Sequence, residues 1–346
     1  MIFLSTPFYR VIIVLLFILL TFIIIKNQNI KGIYMNVGGL FSGIGGIELA
    51  FKQNGFKIIW SNEIDKNACV TYKSNHTHQL FNCDIQSLNA NAVPDIDILV
   101  AGFPCQAFSV AGHQKGFDDA RGNLFFDILR FIDAKNPSII FLENVKNLLN
   151  HNNGETFNKI YNEITTRGYF LKYKVLNSSQ YGNVPQNRER IYMVAFKDEE
   201  VSNRFEFPKP IKLTKKINNL LEPLQSIDEK YYYNKSKYFP ILKTEMTSTE
   251  TLYQWRRTYV RENKNKLCPT LTANMGTGGH NVPLINDTKD IRKLTPRECA
   301  RFQGYPDSFI LPNIISNSAL YKQIGNSVTI PVINRIAGEI KKALYI

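Results

Sequence analysis

Asp97-Ile98-Leu99-Val100-Ala101-Gly102-Phe103-Pro104-Cys105-Gln106-Ala107-Phe108-Ser109 joins an apolar run of strand length to a Gly-Phe-Pro-Cys turn. Open α/β sheets place their ligands where such a buried parallel strand enters a loop at its C-terminal edge. Pro104 has a fixed φ and biases Phe103 towards extended geometry, so Cys105 is expected in a set pose at the mouth of a cleft. A free cysteine is also commonly a small buried hydrophobe, and this stretch alone does not choose between the two.

The chain before it has the same β–α rhythm. Met35 to Leu40 predicts a short strand, and Phe41-Ser42-Gly43-Ile44-Gly45-Gly46 a glycine-rich turn. Ile47 to Phe51 then opens a helix ending near Asn54-Gly55. Glycines let a ligand approach the backbone, and free N–H groups at a helix start face its polar end. The pattern is not G-x-G-x-x-G, and a plain tight β–α connection is the competing reading. A second strand, Lys57 to Glu63, ends in an acid that can accept from ribose hydroxyls, and a third places Asp84 where it can meet an adenine amino group. Strand ends of this kind, with no diphosphate cradle or P-loop lysine, suit S-adenosylmethionine better than NAD or ATP.

Beyond Cys105, Asn123 to Ala134 has apolar residues at helical spacing, and Ser138 to Leu142 is another buried strand, ending at Glu143-Asn144-Val145. A carboxyl at a buried strand end has a raised pKa and can stay protonated and donate. After a helix around Glu155 to Thr166, strands are expected near Phe170 to Leu176 and Arg190 to Phe196. Arg188 and Arg190, two apart in Gln186-Asn187-Arg188-Glu189-Arg190, point the same way and suit an anion or a carbonyl oxygen; a surface ion-pair set is the alternative. From about Phe205 the rhythm stops. Phe207-Pro208-Lys209-Pro210 marks a boundary, and Ile211 to Leu284 is polar, basic and aromatic, as a surface that reads a nucleic-acid groove requires. Lys293 to Gly304 reads as a capped helix, and Ile330 to Leu344 as a last amphipathic one.

At 346 residues two domains are expected, and the net charge of +13 favours a polyanionic partner, nucleic acid before anionic membrane. The five cysteines form no Cys-x-x-Cys pair, which argues against a disulfide framework or a zinc site and for a reducing compartment. Val11 to Ile25 is apolar except for Thr21 and, extended back through Ile2 to Leu4, is long enough to span a bilayer. A membrane anchor, a signal peptide without a small-residue cleavage site, and translation starting at Met35 all fit it. The start at Met35 is the favoured expectation, because Ile, Asn and Lys richness suggests an AT-rich gene whose upstream DNA reads as such runs.

Taken in order, FSGIGG, the acid Glu63, GFPCQAFS, ENV, QNRER with IYMV, RKLTPRECARFQGYPDSF and YKQIGNSVTIPV give a chain that resembles the DNA (cytosine-5)-methyltransferases of bacterial restriction–modification systems. The resemblance runs from Met35 to the C-terminus, with only Phe205 to Leu252 lacking a motif. It implies an α/β fold: a doubly wound, Rossmann-like S-adenosylmethionine-dependent methyltransferase domain plus a smaller irregular target-recognition domain. The corresponding boundaries are residues 1–34 for the N-terminal extension, 35–204 for the catalytic domain, 205–312 for target recognition, and 313–346 for the returning segment. By the family pattern Phe41, Ser42, Gly43, Ile44, Gly45 and Gly46 hold S-adenosyl-L-methionine, with Glu63 at its ribose and Ile64, Asp84 and Ile85 at its adenine. Phe103, Pro104, Asn326, Ser327 and Val328 close that pocket. Ile64 stands where many members carry an aromatic residue, so adenine packing is looser or is supplied by Phe103.

The implied chemistry accounts for the residue types. Carbon 5 of cytosine is a poor nucleophile until a thiolate, here Cys105, adds at carbon 6 and turns the ring into an enamine. Protonated Glu143 then holds N3 and the amino group, and Arg190 meets O2 with Arg188 in support, stabilising charge as it develops. The cytosine must leave the duplex to reach such a pocket. The expected partner is double-stranded DNA, contacted by Gln106, Ser109, Gln186, Arg256, Arg257, Thr270 and Leu271, with Thr270-Leu271 as the base-reading loop. A cognate restriction endonuclease is the expected functional partner; a cytoplasmic monomer with no metal and no membrane association is expected. The alternative on the same core is a transfer-RNA cytosine-5 methyltransferase. A binding-only protein is disfavoured by Cys105, Glu143 and Arg190 together, and a nicotinamide oxidoreductase by the missing pyrophosphate turn.

Overall fold

The computed structural model describes residues 35–104, 124–256, 258–277 and 281–345. Its centre is a seven-stranded sheet in the order β3-β2-β1-β4-β5-β8-β6. The strands are β1 (Asn36–Leu40), β2 (Lys57–Asn62), β3 (Gln79–Phe81), β4 (Ile98–Gly102), β5 (Ile139–Val145), β6 (Phe170–Asn177) and β8 (Glu189–Phe196), with the short β7 (Gln186–Asn187) outside this sheet. The first five run parallel, while β8 is antiparallel to both β5 and β6. The order reverses between β1 and β4, whose Leu40 and Ala101 are register partners. The glycine turn and the Phe103-Pro104 turn therefore leave the sheet side by side, at the switch point where such folds bind ligands.

Alternation along the strands builds a core on each face. Val37, Ile58, Val100, Phe141 and Val194 pack with α1 (Gly46–Gln53) on one face. Trp60, Leu99, Ala101, Ile140 and Met193 pack on the other against α3 (Leu124–Lys135) and α4 (Glu155–Thr165); α2 (Lys66–Lys73) follows β2. The doubly wound expectation holds. The strand expected to end at Glu143-Asn144-Val145 is β5, which runs to Val145 and carries Glu143 near its end. The antiparallel pairing of Glu143 with Tyr192 extends the ladder past the apolar run.

After the short helices α5 (Ser178–Tyr181) and α6 (Glu199–Arg204), the chain forms a second sheet in the order β10-β9-β12-β13. Its strands are β9 (Tyr253–Arg256), β10 (Tyr259–Glu262), β12 (Leu284–Asn286) and β13 (Ile291–Lys293), and α7 (Phe239–Glu245) covers it. Leu242, Met246, Tyr253, Leu284 and Ile291 give this sheet a core of its own. The two-residue strand β11 (Cys268–Pro269) pairs in parallel with β7. Next, α8 (Pro296–Phe302) starts on a Thr295–Glu298 capping box. Two helices close the chain: α9 (Asn317–Asn326), which has no counterpart in the sequence reading, and α10 (Ile330–Leu344), which matches it. No helix among the described residues is long and apolar enough to cross a membrane, and Val11 to Ile25 lies outside them.

Candidate active site

The turn after β1 is shaped by left-handed backbone and by contacts from distant chain. Phe41, Gly43 and Gly45 all have positive φ, and at Gly45 a side chain would also collide with His76. Glu63 ties the turn to the end of β2. Its Oε2 accepts from Gly43 N at 2.7 Å, and its Oε1 accepts from the backbone of Ile64 and Asp65 at 3.0 and 2.8 Å. Burial raises its carboxyl above the ordinary value, against the lowering effect of those three N–H donors. Ile64 beside it is 61% exposed, whereas Phe103 is buried against Phe125. The free apolar face near Glu63 is thus Ile64, not the Phe103 ring. Asp84 is exposed and caps the turn that begins at buried Ile85.

The segment just before α10 comes back from far along the chain to this turn. A Cβ on Gly46 would lie 2.8 Å from Tyr305 Oη, 2.9 Å from Val328 Cγ2 and 3.1 Å from Ser327 Oγ. The absence of a side chain at Gly46 is what lets Ser327 and Val328 seat there, with Tyr305 and Ser327 hydroxyls bonded at 2.6 Å. Asn326 beside them is exposed.

At the end of β5, Glu143 is buried and Arg190 Nε stands 3.2 Å from its Oε1, off the line of a hydrogen bond. Desolvation raises the Glu143 carboxyl above its ordinary value, opposed by the charges of Arg190 and Arg188. Glu143 pairs in register with Gly102, and its Oε2 would be 3.7 Å from a Cβ there. The acid therefore faces the strand end three residues before Cys105 in the sequence. Asn144 holds the same loop, donating its amide to the carbonyl of Phe103 at 3.3 Å.

Arg188 is buried and donates to two backbone carbonyls, Leu271 at 2.8 Å and Ser327 at 2.5 Å. It joins the strand-8 hairpin, the segment after β11 and the approach to α10 at one point.

The comparisons with known proteins decide what this arrangement is. The family model for C-5 cytosine-specific DNA methylases matches residues 35–342. The chain belongs to the C-5 cytosine-specific DNA methylases. It is 54% identical over 314 residues to the type II methyltransferase M.Bsp6I of Bacillus sp. (strain RFL6), covering 90% of this chain and 99% of that one. It is 40% identical over 333 residues to the type II methyltransferase M.HhaI of Haemophilus parahaemolyticus, covering 92% and 98% respectively. The solved S. pombe Dnmt2 methyltransferase shares the fold at a TM-score of 0.68 and 21% identity, over 90% of this chain and 99% of that one. The chain is thus a DNA (cytosine-5-)-methyltransferase, and the similarity to type II methyltransferases does not favour the transfer-RNA alternative.

Two of the DNA contacts expected of this methylase, Gln186 and Leu271, have buried side chains. Gln186 is fully buried: its amide donates to the Phe302 carbonyl at 2.6 Å, and its Oε1 accepts from Leu271 N at 3.2 Å. The Leu271 side chain is likewise buried. The parallel pairing of β7 with β11 draws both residues inward, so neither side chain faces solvent. Thr270 is half-buried and gives its hydroxyl to the Asn187 carbonyl, while Arg256 stands exposed at the end of β9. Cys105, Gln106, Ser109 and Arg257 lie outside the described residues. Sequence reasoning missed Glu48 and the polar chain behind it, because an acid in the first turn of a helix is an ordinary electrostatic choice and signals nothing more.

Proposed function

We propose that this methylase transfers a methyl group from S-adenosyl-L-methionine to carbon 5 of a flipped-out cytosine within a short double-stranded DNA sequence. In this reading it is a cytoplasmic monomer that protects DNA from a cognate restriction endonuclease. The observation that carries the proposal is buried Glu143 paired with half-buried Arg190, facing the strand end that leads into Phe103-Pro104-Cys105.

The residues present fit the cofactor. A Cβ on Gly43 would meet nothing within 4 Å, so the turn has open space above it. The turn from Phe41 to Gly46 and the segment Asn326 to Val328 would hold its methionyl part, Glu63 its ribose hydroxyls, and Ile64, Asp84 and Ile85 its adenine. When bound, the cofactor supplies an electrophilic methyl group. The protein's own part is to raise the nucleophilicity of the base. Cys105 adds to carbon 6 as a thiolate, Glu143 in its protonated form donates to N3, and Arg190 meets the O2 on which charge grows. Arg188 positions the hairpin that carries Arg190. Within the proposed target-recognition part, residues 205–312, exposed Arg256 contacts phosphate.

Single-base mapping of 5-methylcytosine on DNA treated with S-adenosylmethionine tests this, using the full chain, Met35–Ile346 and Cys105→Ala. Methylation at one short motif, lost in the variant, is the expected result. Labelling of transfer RNA with no change in DNA would sink it.

A further inference from the structure

Glu48, in the first turn of α1, is 1% exposed and sits directly under the glycine turn. A Cβ on Gly39 would collide with its Oε1 and come within 2.9 Å of Ser42 Oγ and 3.0 Å of Ser61 Oγ, so these three polar groups converge on one point. Glu48 Oε2 and Ser42 Oγ are both buried and face each other without a well-aligned hydrogen bond to any third group. A buried carboxyl whose partners are only neutral hydroxyls and backbone is costly as a charge, and no lysine or arginine among the described residues pairs with it. Its other oxygen has a path outward. Ser61 Oγ lies 3.4 Å from Glu48 Oε1, Tyr72 Oη donates to Ser61 Oγ at 2.6 Å, and Tyr72 Oη is 2.6 Å from Nε2 of half-buried His78.

Resting on the cofactor reading above, we propose that Glu48 senses the charge of the methyl donor: it keeps its proton in the free protein and releases it through Ser61, Tyr72 and His78 when a cation occupies the turn. The donor carries a sulfonium and one net positive charge, whereas its demethylated product carries none. An ionised carboxylate beneath the turn therefore favours donor over product, and the reprotonation of Glu48 accompanies the loss of the sulfonium. One proton leaves the carboxyl, passes along the hydroxyl chain and enters solvent at His78.

The surroundings agree with this. Burial pushes the Glu48 carboxyl up to about 7, with the negative charge of Glu63 adding to the rise. The other ionisable groups facing it are Tyr72 on α2 and Tyr305 after α8, both raised by burial, with His78 and the His76 ring stacked on Tyr72 at 4.3 Å. Both histidines are lowered to about 4 by burial, with Lys52 contributing, so they are neutral at working pH and pass the proton on rather than keep it.

Titration calorimetry of the full-length protein, in buffers of different ionisation enthalpy, reads the released proton directly. S-adenosylmethionine is expected to release a substantial fraction of a proton near pH 7. If binding displaces the carboxyl by one pH unit, affinity rises about fivefold between pH 6 and pH 8. S-adenosylhomocysteine is expected to show neither effect, and Glu48→Gln to remove both while still binding the donor. Equal proton release for the two ligands in the wild type overturns the inference without any variant, as does an unchanged pH slope in Glu48→Gln. A wild type that binds no S-adenosylmethionine at all overturns the cofactor reading instead.

Discussion

Arg190 on β8 reaches diagonally across the antiparallel ladder to Glu143 on β5, leaving its Nε 3.2 Å from the carboxyl Oε1 without a well-aligned hydrogen bond. The acid is thus shielded from water but not fully engaged by its neighbour. Such a group retains the capacity to bond a third partner, and here that partner is argued to be the target base.

Glu143→Gln removes the acidic proton while preserving volume. Methyl transfer is expected to fall about 10²- to 10³-fold, with S-adenosylmethionine affinity unchanged. Because burial raises this carboxyl, its protonated form persists above the ordinary carboxylate range and is lost as pH rises through the raised value. The same group adds stability that is complete below its unfolded value and lost as pH rises through the folded one. Single-turnover rates and thermal midpoints across pH check both, and Glu143→Gln should flatten the stability profile over that window.

Gly46→Ala inserts a methyl group between the glycine turn and the Ser327–Val328 segment, where the rigid Tyr305 hydroxyl cannot swing away. Overpacking of this kind costs about 1–3 kcal/mol. Cofactor affinity is expected to weaken about tenfold or more by titration calorimetry, while DNA affinity stays near wild type. Equal loss of both would mean general unfolding rather than a local wedge.

Arg188→Lys leaves one point charge where a planar fork served two carbonyls. Losing one or both charge-assisted bonds in a buried setting is expected to cost about 2–4 kcal/mol. A lowered thermal midpoint, with cofactor and DNA binding weakened together, is the expected signature.

Arg256→Ala tests a phosphate contact on the exposed end of β9. Binding should weaken similarly for cognate and unrelated duplexes, and the salt dependence should drop by about one counterion. A changed methylation motif would instead make Arg256 a base reader.

The strand ends that carry Glu63 and Glu143, and the two helix-covered faces of the sheet, were legible from the residues alone. Alternation, apolar run length and glycine turns act over a few neighbouring residues, so they show wherever the chain is read. The family resemblance implied that Asn326 to Val328 close on the turn; what only the tertiary structure decided is the packing that brings them there. Nothing local announces that Ser327 and Val328 pack on Gly46, or that Gln186 and Leu271 turn inward through the β7–β11 pair. Nor does the sequence set Glu48 apart from any helix-starting acid, although its burial beside Ser42 and Ser61 makes it the most unusual charge site near the turn. Those outcomes depend on how the returning helices and the second sheet close over the first. They are set by long-range packing and by the satisfaction of buried polar groups, which no short window of sequence contains.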